Sequence, residues 1–170
     1  MKLASALLAP TLFALSLIAL PVAAGVLDKP APKLTAKTLD GKTFDVSAQK
    51  GKVVIVSFWA TWCAPCRAEM PALQAYYNAH KAEGLDLVAI SMDDPDKDKA
   101  VAKIMSAYTF PGAHGRDAKF DGYGHIGFLP VAFIIDRSGV VRWDGNAQAQ
   151  PVAFDAAKLD ATVTPLLKAH

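Results

Sequence analysis

Val53-Val54-Ile55-Val56-Ser57-Phe58-Trp59-Ala60-Thr61-Trp62-Cys63-Ala64-Pro65-Cys66-Arg67-Ala68-Glu69-Met70 is the stretch on which the fold turns. Its first seven residues form a continuous, largely β-branched apolar run, the pattern of a strand buried on both faces. From about Ala64 to Lys81 the period changes. Met70, Leu73, Tyr77 and Lys81 recur at spacings of three and four, which predicts a helix, and Gly84 follows as a stop. Cys63 therefore falls where a buried strand hands over to a helix.

That junction has chemical consequences. The first turn of a helix leaves four backbone N–H groups without partners, and the aligned peptide dipoles add roughly half a positive charge. A thiolate placed there is stabilised by up to ~2 kcal/mol. At about 1.36 kcal/mol per pKa unit, a thiol titrating near 8.5 would fall to near 7, so about half would be thiolate at neutral pH. Thiolate is the nucleophile in disulfide exchange. Cys66 stands three residues on, where helical Cβ atoms are ~5–6 Å apart, close to the ~3.8 Å of a disulfide. A bridge between them closes easily and opens again. Zinc sites use the same Cys-x-x-Cys spacing, but a zinc site needs two further ligands. The chain has no third cysteine, and His80, His114, His125 and His170 show no paired ligand spacing.

Working outward, Leu34–Leu39 and Lys42–Val46 flank Asp40-Gly41, a strong hairpin signal. Leu85–Ser91 reads as a second buried strand. Asp94 to Asp98 supplies an acidic helix start, followed by a stripe of Val101, Ile104, Met105 and Tyr108. A glycine-rich loop is expected from Phe110 to Gly127. Val131–Asp136 and Val140–Trp143, joined by Arg137-Ser138-Gly139, read as an antiparallel pair. A last amphipathic helix is expected from about Val152 to Leu167. The order β-β-β-α-β-α-β-β-α implies an α/β layer structure around a central mixed sheet, parallel where helices cross over and antiparallel at the hairpins.

The ends and the composition place the domain. Lys2 is followed by an uncharged run from Leu3 to Leu20 and then Pro21-Val22-Ala23-Ala24-Gly25. A positive start, an apolar run and small residues are the parts of a secretory signal, with cleavage expected after Ala24. The alternative is an uncleaved membrane anchor, since ~20 apolar residues span a bilayer. Residues 25–33, with Pro30 and Pro32, read as a short stiff linker, and residues 34–170 as one domain. Net charge is +2 among 170 residues, without a basic block, which argues against nucleic acid as partner. An exported protein meets an oxidising compartment, where cysteines usually pair as structural disulfides. A loop of three residues makes a poor staple, because loop-closure stabilisation grows with loop length. Redox chemistry explains this pair better.

Phe58-Trp59-Ala60-Thr61-Trp62-Cys63-Ala64-Pro65-Cys66-Arg67-Ala68-Glu69-Met70-Pro71 and Tyr123-Gly124-His125-Ile126-Gly127-Phe128-Leu129-Pro130-Val131-Ala132-Phe133-Ile134-Ile135-Asp136 resemble the thioredoxin superfamily, and within it the periplasmic TlpA/ResA-like branch. The resemblance runs from about Leu34 to Leu167. It implies a thioredoxin fold with an N-terminal hairpin. It further implies that Cys63 attacks, Cys66 resolves, and Glu69 handles the proton on Cys66. Pro130 matches the family's cis-proline beside the disulfide, so Leu129, Pro130 and Trp62 are the implied client-binding residues. No cofactor is implied, and the expected form is a monomer. Protein thiols and disulfides are the implied substrates, with a membrane-embedded thiol transporter as electron donor. Apocytochrome c cysteines and copper-site proteins are the implied clients. There are departures: Ser57 stands six before Cys63 where thioredoxin carries a buried acid, which shifts proton handling onto Glu69 or water. Val131 stands where Thr is commoner, and His125 replaces an apolar residue.

The residues between the cysteines bear on direction. Thioredoxin at about −270 mV and DsbA at about −120 mV differ by about 7 kcal/mol for two electrons. Ala64-Pro65 adds no positive group, unlike the Pro-His pair of DsbA, which points to a reductant or moderate exchanger. Two other readings compete. A peroxiredoxin shares the fold, but its Pro-x-x-x-Thr-x-x-Cys is missing, with Ala60 three before Cys63 and Val56 seven before. A copper- or protein-binding module without turnover would draw on Met92 and Met105, which fit core positions better.

Overall fold

The computed structural model describes residues 25–169; the signal or anchor expected over 1–24 lies outside them. The elements in order are β1 (Thr35–Thr38), β2 (Thr43–Asp45), β3 (Val53–Trp59), α1 (Ala64–His80), β4 (Leu85–Ser91), α2 (Asp98–Met105), β5 (Gly112–Lys119), β6 (Val131–Ile135), β7 (Val141–Asp144), α3 (Ala156–Thr162) and α4 (Thr164–Lys168). Together the strands make one mixed sheet in the order β2-β1-β5-β4-β3-β6-β7, flanked by helices.

Strand β3 is the axis of that sheet. It runs parallel to β4 and antiparallel to β6, and all seven of its residues are buried. Its alternate side chains feed two separate cores. Val53, Ile55 and Trp59 face one that also takes residues from all four helices, including Met70, Val101, Leu159 and Leu167. Val54, Val56 and Phe58 face the other, where Leu34, Phe44, Tyr123 and Phe133 pack. A period of two with both phases apolar is the reason the strand reads as an unbroken run.

The hairpin forms as expected, with Ala36 opposite Phe44. Its turn is closed by the Gly41 amide on the Thr38 carbonyl at 2.8 Å, and Gly41 takes a φ of +84°, a conformation glycine adopts without a Cβ penalty.

Three expectations change. The glycine-rich loop of 110–127 contains β5. Its sequence, Gly-Ala-His-Gly-Arg-Asp-Ala-Lys, lacks the β-branched and aromatic residues that mark strands. It is held instead by its neighbours, parallel to β4 at Ala89–Ser91 and antiparallel to β1. The last helix is two short ones, α3 and α4, meeting at Val163, with Pro165 in the first turn of α4, where a missing N–H costs nothing. Residues 25–33 are laid against the sheet edge rather than left as a linker. Asp28 N–H donates to the Val141 carbonyl and Ala31 N–H to the Gly139 carbonyl, each at 2.8 Å, so backbone groups that a linker would leave in water are paired here. Among the described residues no helix is long and apolar enough to cross a membrane.

Candidate functional site

The end of β3 delivers the chain to the site. Trp59 is the last strand residue, the Cys63 N–H donates to the Ala60 carbonyl at 3.1 Å, and α1 begins at Ala64. Cys63 is the N-cap of α1, and its Sγ accepts from the Cys66 N–H at 3.2 Å. Pro65 sits in the first turn, where its fixed φ suits a helix start. The positive end of the helix and the Cys66 amide, which has no carbonyl partner within the helix, thus point at the Cys63 sulfur, the arrangement that favours a thiolate once the bond is open.

Cys63 and Cys66 form a disulfide, with S–S 2.00 Å and Cα atoms 5.3 Å apart. Cys66 is fully enclosed and Cys63 nearly so. The bridge is therefore presented by its immediate surroundings rather than by an open cleft. Trp62, at 70% exposed, projects beside it, while Phe58 and Trp59 are core residues. Arg67 is on the surface.

On the facing strand, Ser57 pairs with Ala132 and Phe58 with Val131, so Pro130 comes next along β6 toward the end of β3 from which Cys63 emerges. The Leu129–Pro130 peptide bond is cis, as the resemblance implied. Pro130 is buried, and Leu129 packs partly against the core that contains both cysteines.

Glu69 lies one helical turn beyond Cys66, on the same face of α1. It is buried at 3% exposure. Its Oε1 accepts from the Ser57 hydroxyl at 3.3 Å and its Oε2 from the Phe154 N–H at 2.9 Å. Burial pushes its carboxyl up to about 7, with the two hydrogen bonds pulling the other way. Burial penalises the charged form, so a carboxyl that would normally be ionised is poised near neutrality. The departure at Ser57 has a structural answer: the buried acid next to the cysteines comes from α1, and Ser57 is its partner.

Sequence reasoning missed two contributors. Phe154, from the segment before α3, supplies an amide to Glu69 across 85 positions, and no local pattern announces such a contact. Asp93 lies just after β4 and binds the Thr61 backbone and hydroxyl. It stands one residue before the acidic helix start expected at Asp94, and nothing in the local pattern singled it out. The remaining candidates fall elsewhere. His125 is exposed in the loop before Leu129, Met92 packs in one core and Met105 in the other, and Val56 and Ala60 are buried. Among the described residues no group of three metal-ligating side chains occurs.

A cavity of about 570 Å³ is lined by Gly25, Val26 and residues from the 121–128 and 144–147 segments, on the side of the loop leading to Leu129 rather than at the disulfide.

Comparison with known proteins bears on the same region. The chain is 36% identical over 115 residues to the thiol-disulfide oxidoreductase ResA of Bacillus thuringiensis (strain Al Hakam), and equally to that of Bacillus anthracis. The match takes in 66% of this chain and 65% of each relative, so the chain spans just under two thirds of the length of these curated relatives. Among solved structures, a thioredoxin family thiol:disulfide interchange protein from Chlorobium tepidum TLS superposes with a TM-score of 0.66 at 30% identity, over 85% of this chain and 99% of that one. A secreted Mycobacterium tuberculosis disulfide oxidoreductase homologous to E. coli DsbE gives a TM-score of 0.61 at 26% identity, over 78% and 95%. Residues 27–144, from the docked N-terminal segment to the end of β7, match the AhpC/TSA family, and the chain belongs to it, with the thioredoxin fold.

Proposed function

We propose that this protein is an extracytoplasmic thiol–disulfide oxidoreductase that reduces protein disulfides through Cys63 and Cys66. The observation that carries the reading is the Cys63–Cys66 disulfide at the first turn of α1, with the Cys63 sulfur receiving a helix amide. In the reduced protein, the Cys63 thiolate attacks one sulfur of a client disulfide. A mixed disulfide forms and the other client sulfur leaves as thiolate. Cys66 then loses its proton and attacks the Cys63 sulfur. The second client sulfur departs, and Cys63–Cys66 closes. Two electrons have passed to the client.

Glu69 takes the proton from Cys66. It stands one turn away, and a carboxyl near 7 is part ionised at neutral pH, able both to accept and to release. Trp62 and the Leu129–Pro130 segment hold the client's extended chain beside the bridge. A membrane-embedded thiol transporter returns the electrons, because an oxidising compartment supplies no reductant of its own. The export signal over 1–24 and a monomeric state belong to the same reading. Haem-binding cysteines of apocytochrome c and copper-site cysteines are the clients that fit a reductant in that place.

A Cys66→Ser variant tests it. With the resolving thiol gone, mixed disulfides through Cys63 should accumulate and identify the clients by mass spectrometry. Capture of no client, together with a potential as oxidising as about −120 mV, would overturn the reductant reading.

A further inference from the structure

We propose that Asp93 is a positioning residue for Cys63: its carboxylate fixes the Thr61–Trp62–Cys63 turn, and so seats the Cys63 sulfur over the first amides of α1. The inference rests on the role given to Cys63 above.

Strand β3 ends at Trp59, and from there the chain must reach the N-cap of α1, Cys63, through only three residues, Ala60, Thr61 and Trp62. The Trp59 carbonyl is still satisfied by a strand-like partner, the Met92 N–H at 2.8 Å. Thr61 N–H has passed the end of the sheet and has no strand to bond. Asp93 Oδ2 accepts it at 2.8 Å, while Oδ1 accepts the Thr61 hydroxyl at 2.6 Å. One carboxylate therefore grips a single residue through both backbone and side chain. Asp93 is itself held, since the Ser91 hydroxyl donates to Oδ2 at 2.8 Å and accepts from the Asp93 N–H at 3.2 Å. At 8% exposure the carboxylate meets little competing water. Charge-assisted hydrogen bonds of this kind are about twice as strong as neutral ones.

The consequence falls two residues on. Cys63 caps α1 from an extended conformation, φ −83° and ψ 98°, in which its sulfur accepts from the Cys66 N–H. The helix fixes Cys63 from the C-terminal side. From the N-terminal side, the Ala60–Cys63 turn bond and the Asp93 clamp on Thr61 do so. A loosened turn lets the sulfur move off the helix axis, where dipole and amide stabilisation fall away within the first turn. Trp62, exposed between the clamp and the disulfide, is set by the same grip.

The test reads Cys63 alone. On the Cys66→Ser background it is the only thiol, so iodoacetamide alkylation and thiolate absorbance against pH report it directly. Two variants are compared with that parent, each checked for folding by circular dichroism. Thr61→Val removes one bond of the clamp without changing charge, and Asp93→Ala removes all of it. The expected result is slower alkylation at pH 7 in both, about twofold or more for Asp93→Ala, with the thiol titrating about half a unit higher. Loss of a neighbouring negative charge would by itself act in the opposite sense, favouring the thiolate. Alkylation as fast as or faster than the parent in folded Asp93→Ala, or an unchanged rate in Thr61→Val, overturns the proposal. If Asp93→Ala does not fold, Thr61→Val decides alone. Alkylation reads Cys63 whether or not any client is captured, so a failed client trap and an unchanged alkylation rate are separate results.

Discussion

The Phe154 N–H donates to Glu69 Oε2 at 2.9 Å, tying the acid on α1 to a backbone amide 85 residues later. This bond holds one carboxylate oxygen while Ser57 holds the other, and both oxygens sit in a core that excludes water. The fold has placed an ionisable group where ionisation is costly and has given it just enough donors to remain ionisable.

Stability should therefore depend on pH through Glu69. Its folded carboxyl titrates near 7, above the ordinary 4.5, so between those values the native state binds a proton that the unfolded chain has released. The contribution is greatest below the unfolded value and is lost as pH rises through about 7. Glu69→Gln keeps a side chain able to accept from Phe154. In the oxidised protein it should gain on the order of 2 kcal/mol over wild type at pH 8 and little at pH 4. Urea unfolding at the two pH values checks the sign, and equal stabilities at pH 8 would refute it.

The same substitution should separate the two chemical steps. Formation of the mixed disulfide at Cys63 needs no proton acceptor at Cys66, whereas resolution does. Glu69→Gln is expected to leave the first step near its wild-type rate and slow the second by about 100-fold. Rapid-quench trapping during a single turnover would show the mixed disulfide building up and then decaying.

Trp62→Ala is expected to leave stability within about 0.5 kcal/mol, since the ring is 70% exposed. Its effect should appear with protein clients as a raised KM, while exchange with oxidised glutathione stays unchanged. Equal losses on both substrates would place Trp62 in shielding the disulfide rather than in holding the client.

Gly145 follows β7, where a Cβ would stand 2.5 Å from the Ala132 carbonyl oxygen and 2.8 Å from the Ala132 nitrogen. Both are backbone atoms of β6, next to the strand residues that follow Pro130, and neither can swing aside. Gly145→Ala should cost about 2 kcal/mol or more, read as a lower urea midpoint. An unmoved midpoint would refute the close packing of Gly145 on β6.

What the chain determined on its own is whatever rests on neighbours in sequence. The apolar run of Val53–Trp59, the three-and-four spacing from Met70 to Lys81, Asp40-Gly41 and the Cys63–Cys66 spacing each encode a local geometry, and each is present in the fold. The same motifs carried the resemblance that implied a cis bond at Pro130 and an acid at Glu69. Tertiary structure decided the rest. β5 is a strand because β1 and β4 leave a place between them, although Gly112, Gly115 and Asp117 favour no such conformation. Glu69 titrates near 7 because distant segments bury it, against the opposing pull of its hydrogen bonds from Phe154 and Ser57, and Asp93 grips Thr61 from 32 residues away. Burial and long-range hydrogen bonds depend on which segments meet, and no window along the sequence contains that information.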